Sequence, residues 1–183
     1  HICPIDFISH SILPSIFHQG QATTITLSPV PGVMTPSFWE EIPNLLSGLT
    51  AFIVGEMDLR RLFQGRQTDL WEMMGVLGDF GLEFILVQTE NLGYYLYDRI
   101  EAKRWIIPNY PVAITDPTGA EDAFAGGFLT GYRQKYDPLE AALHGSVSAS
   151  LVMEGSGVTY AMNAMPGLTD VRLAALRERV NQV

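Results

Sequence analysis

One segment decides the fold of this chain: Asp116-Pro117-Thr118-Gly119-Ala120-Glu121-Asp122-Ala123-Phe124-Ala125-Gly126-Gly127-Phe128. Its polar, glycine-containing first half predicts a turn, and its second half predicts an amphipathic helix with Asp122 in the first turn. The first backbone N–H groups of a helix have no intrahelical acceptor, and the positive end of the helix dipole lies there. The segment therefore predicts an anion site, in which Asp122 is either a cap or a general base acting on a bound hydroxyl.

Small residues continue through this predicted helix, where Gly126, Gly127 and Gly131 occupy interior positions. Because a glycine inside a helix costs up to about 1 kcal/mol relative to alanine, several of them indicate that another backbone or a ligand comes close. Tight helix packing without a ligand explains the helix alone equally well. Gly119 and Asp122 at its start favour the ligand.

The composition of the 183 residues is that of a globular protein, 47% hydrophobic and 17% charged, and the length suffices for one domain with a core. Eleven basic residues against twenty acidic ones give a net charge of −9. This balance argues against a nucleic-acid partner, because no basic cluster is present to neutralise phosphates. No apolar run is long enough to span a membrane, so no membrane partner is expected. The single cysteine, Cys3, excludes an intrachain disulfide and fits a cytoplasmic location.

Strand-like and helix-like segments alternate along the chain. Short apolar runs predict strands at residues 22–27, 51–54 and 84–87, and an antiparallel pair at 93–97 and 104–107. Caps and apolar periodicity predict helices at residues 35–46, 57–63, 68–81, 120–133, 138–153 and 169–180. The alternation predicts a single α/β domain over residues 1–183, with a mostly parallel sheet covered by helices on both faces.

The run at residues 116–122 resembles the second signature of the PfkB, or ribokinase-like, carbohydrate kinases, Asp-Thr-Thr-Gly-Ala-Gly-Asp followed by a small-residue helix. Residues 86–97 are similar to the strand, nucleotide loop and hairpin of that family, and residues 149–157 to the helix and loop that flank adenine. The resemblance implies a three-layer α/β/α sandwich. The family's N-terminal half, with most sugar contacts and the lid, has no counterpart here. We therefore expect a fragment that holds the C-terminal, nucleotide-binding part.

The resemblance also implies roles for the residues of the signature. Asp122 corresponds to the general base that takes the proton from the substrate hydroxyl. The amides of Gly119, Ala120 and Glu121 correspond to the anion hole for the transferred phosphoryl group, and Asp116 lies where many members have a monovalent cation nearby. Phosphoryl transfer depends on positioning and charge stabilisation, which such a turn supplies.

Further residues correspond to the nucleotide side of the family's site. Those expected at the nucleotide are Gln88, Glu90, Gly93 and Ser146, and Asp58 is expected near Mg²⁺ through the Mg-nucleotide. The implied cofactors are Mg²⁺ with ATP and a monovalent cation. The implied activity is ATP-dependent phosphorylation of a small sugar or sugar-like alcohol, and the resemblance allows a homodimer in the intact protein.

Four positions depart from the family's pattern. Glu121 and Glu90 stand where the family has glycine, and Gly55-Glu56-Met57-Asp58 aligns with a family Asn-x-x-Glu. Two like charges about 4 Å apart repel by about 1 kcal/mol in water and about 4 kcal/mol at a surface-like dielectric. These departures leave a second hypothesis open, a kinase-derived binding or scaffold protein that no longer transfers phosphate. A third hypothesis, an unrelated dinucleotide-binding protein, is disfavoured because no Gly-x-Gly-x-x-Gly is present.

Other apparent signals in the sequence indicate no chemistry. Asp79-Phe80-Gly81 spells the protein-kinase magnesium motif, but the rest of that signature set is missing, so a helix end is expected. No P-loop sequence occurs. The four histidines, His1, His10, His18 and His144, have no metal-ligand spacing.

Overall fold

The structure is a computed structural model that describes residues 24, 26–29, 32, 34–40, 42–46, 48–64, 66, 69–90, 92–157 and 159–183. Within them the strands are β1 (Thr26–Leu27), β2 (Ala51–Gly55), β3 (Phe84–Thr89), β4 (Gly93–Asp98), β5 (Lys103–Ile107) and β6 (Asn181–Gln182). The α-helices are α1 (Ile42–Leu46), α2 (Glu56–Leu62), α3 (Leu70–Gly78), α4 (Ala120–Lys135), α5 (Pro138–Met153) and α6 (Leu168–Arg177). Short 3-10 helices cover Pro36–Glu40 and Tyr160–Asn163.

The strands form one mixed six-stranded sheet in the order β1 to β6, flanked by helices. β1, β2 and β3 pair in parallel, with Ala51 of β2 opposite Thr26 and Phe84. β6 pairs antiparallel with β5, where Trp105 lies opposite Gln182. The predicted α/β fold is confirmed, and β6 adds an antiparallel edge that the sequence did not predict.

Several element boundaries differ from the predictions. The helix predicted at residues 35–46 is two pieces, the 3-10 helix Pro36–Glu40 and α1. α3 begins after Asp69, whose carboxylate accepts a hydrogen bond of 2.9 Å from the Glu72 N–H. The predicted cap Thr68 and the start of the strand predicted at 22–27 lie outside the described residues. α5 has the predicted bounds.

Contacts divide the chain into two compact units. Unit 1 comprises His1–Glu90 with Tyr95–Arg104, and unit 2 comprises Asn91–Tyr94 with Trp105–Val183. In unit 1, α2 contacts β2 and β3, and α3 contacts β3. Both strands are buried along most of their length, as expected for parallel strands that are covered by helices.

In unit 2, α4 and α5 pack so closely that glycine is needed at the contact. A Cβ on Gly131 would lie 2.9 Å from the Cβ of His144, and one on Gly145 would lie 2.8 Å from the carbonyl oxygen of Phe124. A Cβ on Gly127 would overlap Ser148. These glycines therefore serve the close approach of another helix, which is the packing explanation left open by the sequence. No helix among the described residues is long and apolar enough to cross a membrane.

Candidate active site

The signature segment forms a hydrogen-bonded turn that leads directly into α4. Gly119 precedes the helix with φ of 81° and ψ of 3°, a left-handed conformation that favours glycine. The Thr118 N–H donates to Asp116 Oδ1 (3.0 Å), and the Ala120 N–H donates to the Pro117 carbonyl (3.1 Å). The first helical bond runs from the Ala123 N–H to the Gly119 carbonyl at 2.9 Å. The turn therefore has its own hydrogen bonds before any ligand binds.

The turn is also attached to the end of α5. The N–H groups of Thr115 and Asp116 both donate to the carbonyl oxygen of Met153, at 2.8 and 3.3 Å. The Thr118 hydroxyl and amide, with a smaller contribution from the Gly157 amide, hold the pKa of the Asp116 carboxyl below its ordinary value. Asp116 thus stays ionised in the folded protein and joins the turn to the loop that follows α5.

The first turn of α4 presents two carboxylates to solvent. Glu121 and Asp122 are both exposed, at the helix end where the dipole favours negative charge. Ala120 is buried, and its N–H already has the Pro117 carbonyl as its acceptor. Of the three amides that are predicted to form the anion hole, that of Ala120 therefore already donates to an acceptor within the turn.

An aromatic stack holds the start of α4 within unit 2. The rings of Tyr94 and Phe124 lie 3.7 Å apart and are nearly parallel, at 11°. Tyr94 is only 2% exposed. Burial, and secondly the charge of Glu121, raise the pKa of the Tyr94 phenol well above its ordinary range. The phenol therefore stays protonated close to the Glu121 carboxylate.

Two of the residues predicted at the nucleotide pack against the chain that leaves β5. Gly93 has φ of +89°, and a Cβ there would overlap the Ile107 carbonyl oxygen. Ser146 is 3% exposed, and its hydroxyl donates to the Pro108 carbonyl at 3.4 Å. Both residues thus have a structural role in positioning residues 107–109, and a direct nucleotide contact of either one stays a prediction.

The remaining predicted residues lie in unit 1, at the carboxyl ends of parallel strands. Gln88 lies opposite Gly55 in the pairing of β3 with β2, and Glu90 follows β3 and is exposed. Asp58 lies in the first turn of α2 and forms an ion pair of 2.6 Å with Arg61. Burial raises the pKa of the Asp58 carboxyl even though the Arg61 charge opposes this shift. Asp58 therefore has a cationic partner of its own.

No described part of the chain gathers three or more His, Cys, Asp and Glu side chains in an arrangement that could hold a metal ion. A cavity of about 290 Å³ lies in unit 2 beside the end of α5. The residues that line the cavity include Leu151 of α5, Glu154 just after that helix, Tyr160 and Asn163 of the 3-10 helix, and Leu168 of α6. The sequence resemblance placed the adenine-flanking loop in this stretch.

Two features of the turn were missed by reasoning from the sequence. The hydroxyl of Thr118 forms a hydrogen bond with the Asp116 carboxylate, two residues earlier, and lowers its pKa. The Asp-x-Thr spacing is a local signal that could have indicated this bond. The acceptor for Thr115 and Asp116 is a backbone carbonyl, that of Met153, which carries no signature in the sequence.

Solved ribokinases share this fold. A ribokinase II described from E. coli, solved with ATP and Mg²⁺, matches with a TM-score of 0.72 and 16% identity, over 96% of this chain and 56% of that one. The Arabidopsis thaliana ribokinase complexed with ribose and ATP matches with a TM-score of 0.71 and 21% identity, over 90% of this chain and 52% of that one. At such identities the likeness shows a ribokinase-like α/β fold.

The sequence itself defines the family. Residues 9–165 match the model of the pfkB family carbohydrate kinases, and the chain belongs to this family. The cytidine kinase of Thermococcus kodakarensis is 36% identical over 72 residues, which are 39% of this chain and 26% of that protein. The chain thus spans about a quarter of that relative and about half of each ribokinase. The resemblance read from the signature at 116–122 is confirmed.

Proposed function

We propose that this chain supplies the phosphoryl-transfer turn of a kinase that moves the γ-phosphate of MgATP to a hydroxyl of a small sugar, nucleoside or sugar-like alcohol. The observation that carries the proposal is the turn before α4, in which Gly119 is left-handed and Asp122 is exposed in the first helical turn. Membership of the pfkB family supports the reaction class. The nucleoside alternative rests on the cytidine kinase relative.

The turn suits this chemistry because each of its parts has a separate task. Asp122 accepts the proton of the attacking hydroxyl, whose oxygen forms the new bond to phosphorus while the bond to the β,γ-bridging oxygen breaks. The N–H groups of Gly119 and Glu121 donate to the phosphoryl oxygens as charge builds on them. Mg²⁺, when bound with the nucleotide, would supply neutralisation of part of the phosphate charge. A monovalent cation near Asp116, a homodimer and a cytoplasmic location stay predictions.

The second candidate is a family member that binds a partner or ligand without transferring phosphate. The first support is that Asp58 is paired with Arg61 at 2.6 Å and would have to leave that arginine to approach a Mg-nucleotide. Glu121, exposed beside the predicted anion hole, is the second support. The two candidates differ in whether MgATP binds.

Calorimetric titration with MgATP tests the proposal. Saturable binding is expected for the wild-type chain, and Gly119→Asp is expected to abolish it because a carboxylate would lie at the phosphate position. Gly126→Asp is the matched control, since it adds the same charge to an exposed position of α4 where nothing lies within 4 Å of a Cβ. Failure of a folded wild-type chain to bind MgATP would reject the proposal and favour the binding protein.

Turnover tests the role of Asp122. Asp122→Asn should keep the MgATP affinity within about threefold and lower the rate of phosphoryl transfer by about 10² to 10⁴, the usual contribution of a general base. Ribose and cytidine are the two acceptors to compare, because they represent the sugar and nucleoside alternatives. An unchanged rate in Asp122→Asn would exclude this residue as the base.

A further inference from the structure

Arg172 of α6 is a buried charge with three different partners. It is 4% exposed, and its Nη1 donates to Ser150 Oγ at 2.7 Å. Its Nη2 donates to Glu154 Oε2 at 2.6 Å, and its Cζ lies 4.7 Å from the centroid of the Tyr110 ring. One side chain therefore joins α6 to the end of α5 and to the connection between β5 and α4.

Stability alone does not account for this arginine. Replacing a buried ion pair by apolar side chains of similar volume is often neutral or stabilising, because burying the charges costs about as much as their attraction returns. The Arg172 Nε is also buried and has no hydrogen-bond partner within the described part of the chain. An unpaired buried donor destabilises the folded state, because its hydrogen bond to water is lost without a replacement. Burying this charged side chain therefore stabilises the packing of α6 less than an apolar side chain of similar volume would.

The partners of Arg172 lead to both ends of the segment before the signature turn. Glu154 follows Met153, whose carbonyl accepts the N–H groups of Thr115 and Asp116. Tyr110, under the guanidinium, lies in the same segment a few residues upstream. Arg172 therefore bonds Glu154, the neighbour of the Met153 carbonyl that accepts at one end of residues 110–116, and contacts the Tyr110 ring at the other end.

We infer that Arg172 is a positioning residue for the anion-binding turn, through which α6 sets the place of Asp116 and hence of the amides that open α4. It acts through Ser150 and Glu154 at the end of α5 and through Tyr110. The inference rests on the proposed function only where it concerns the bound phosphate. The claim about the position of the turn stands without a ligand.

Arg177 of the same helix provides a matched control. Its Nε and Nη2 donate to Glu140 Oε1 and Oε2 at 2.7 and 2.6 Å, near the other end of α5. Arg177→Leu thus removes an ion pair between the same two helices, but none of its bonds leads to residues 110–118.

Amide hydrogen exchange measured by NMR, together with MgATP affinity, tests the inference. In Arg172→Leu the N–H groups of Thr115 and Asp116 should exchange about tenfold faster, and MgATP should bind about tenfold more weakly, as expected for the loss of a charged hydrogen-bonded link. Arg172→Lys keeps the charge for Glu154 and should restore part of both effects. Arg177→Leu should leave both within about twofold of wild type, the spread of a neutral surface change.

Each outcome decides the question. Wild-type exchange at Thr115 and Asp116 in a folded Arg172→Leu would overturn the inference and leave Arg172 as a packing residue. Faster exchange with unchanged MgATP affinity would support the claim that Arg172 positions the turn and overturn the claim that this position matters for the bound phosphate. If the wild type binds no MgATP, the proposed function fails, while the exchange rates still test the positioning. Should Arg172→Leu not fold, Arg172→Lys and Tyr110→Leu carry the same comparison.

Discussion

Gly93 begins β4 with φ of +89°, and a Cβ at this position would overlap backbone atoms of Ile107, Pro108 and Asn109. Any larger residue would have to adopt a conformation that L-amino acids rarely occupy and would overlap a carbonyl oxygen. The family resemblance placed this glycine at the nucleotide, but the close approach of two backbones is a sufficient reason for it. The fold alone therefore requires glycine at position 93.

Gly93→Ala should destabilise unit 2 by about 3 kcal/mol, because the overlap with Ile107 adds to the strain of a positive φ. Gly167→Ala is the control. Gly167 has φ of +82° in the same unit, but nothing lies within 4 Å of a Cβ there, so strain alone should cost about 1 kcal/mol. Urea unfolding of both variants measures the difference. Equal losses would show that the backbone at Ile107 moves aside.

At the scale of elements, the packing of α4 against α5 determines where the signature turn lies. α4 carries the signature turn at its start, and α5 ends at the carbonyl that accepts two amides of that turn. Three glycines bring the helices together, Gly127 and Gly131 from α4 and Gly145 from α5. The distance between the two helices therefore also affects where the turn lies.

Neighbouring glycines of α4 should respond in opposite directions to alanine. Gly126→Ala should stabilise the protein by about 0.5 to 1 kcal/mol, since the position is exposed and open and alanine favours the helix. Gly127→Ala should destabilise it by about 2 kcal/mol, because a Cβ would lie 2.7 Å from the His144 carbonyl and overlap Ser148. Thermal unfolding of the two variants measures both changes in stability. A stabilising Gly127→Ala would contradict the close packing of α4 against α5.

Elements with local signals were predictable from the sequence, and those held by distant partners were not. α5 has the predicted bounds because Asp137 caps it, accepting from the Leu139 and Glu140 N–H groups at 2.8 and 3.1 Å, with proline at the first position. β6 has two exposed residues that pair through the backbone, so no apolar pattern marks it. The turn at residues 116–122 was predictable for the same reason as the α5 cap, because the residues that form it are neighbours in the sequence.

The contacts of Arg172 could not be predicted from the sequence. It lies some fifty residues after the signature and looks like any arginine on an amphipathic helix. Only the packing of α6 shows that it reaches Ser150, Glu154 and Tyr110. For Gly93 and Ser146 the structure shows contacts with residues 107–109 that explain these residue types as well as a ligand would, and their contact with a nucleotide stays a prediction.

For the molecule as a whole, with a net charge of −9, the placement of its few cations matters. Two of them meet on Glu140 of α5, Lys135 from the end of α4 at 2.9 Å and Arg177 from the end of α6 at 2.6 Å. One carboxylate thus links three helices of unit 2. Hydrogen bonds from Arg177, and then from Lys135, lower the pKa of Glu140 from 4.5 to about 2.

This linkage predicts a defined loss of stability in acid. Because the Glu140 pKa is lower in the folded state, its contribution is complete above the unfolded pKa near 4.5 and disappears as pH falls toward 2. Arg177 and Lys135 are half exposed, so solvent screening limits the contribution to about 1 kcal/mol. Glu140→Gln should therefore cost about that amount at pH 7 and almost nothing near pH 2. Urea unfolding from pH 7 to 2 measures the difference in unfolding free energy between the wild type and Glu140→Gln. Glu178→Gln is the control, because Glu178 is an exposed carboxylate just after α6. If that difference in unfolding free energy stays constant from pH 7 to 2, Glu140 acts through packing and not through its charge.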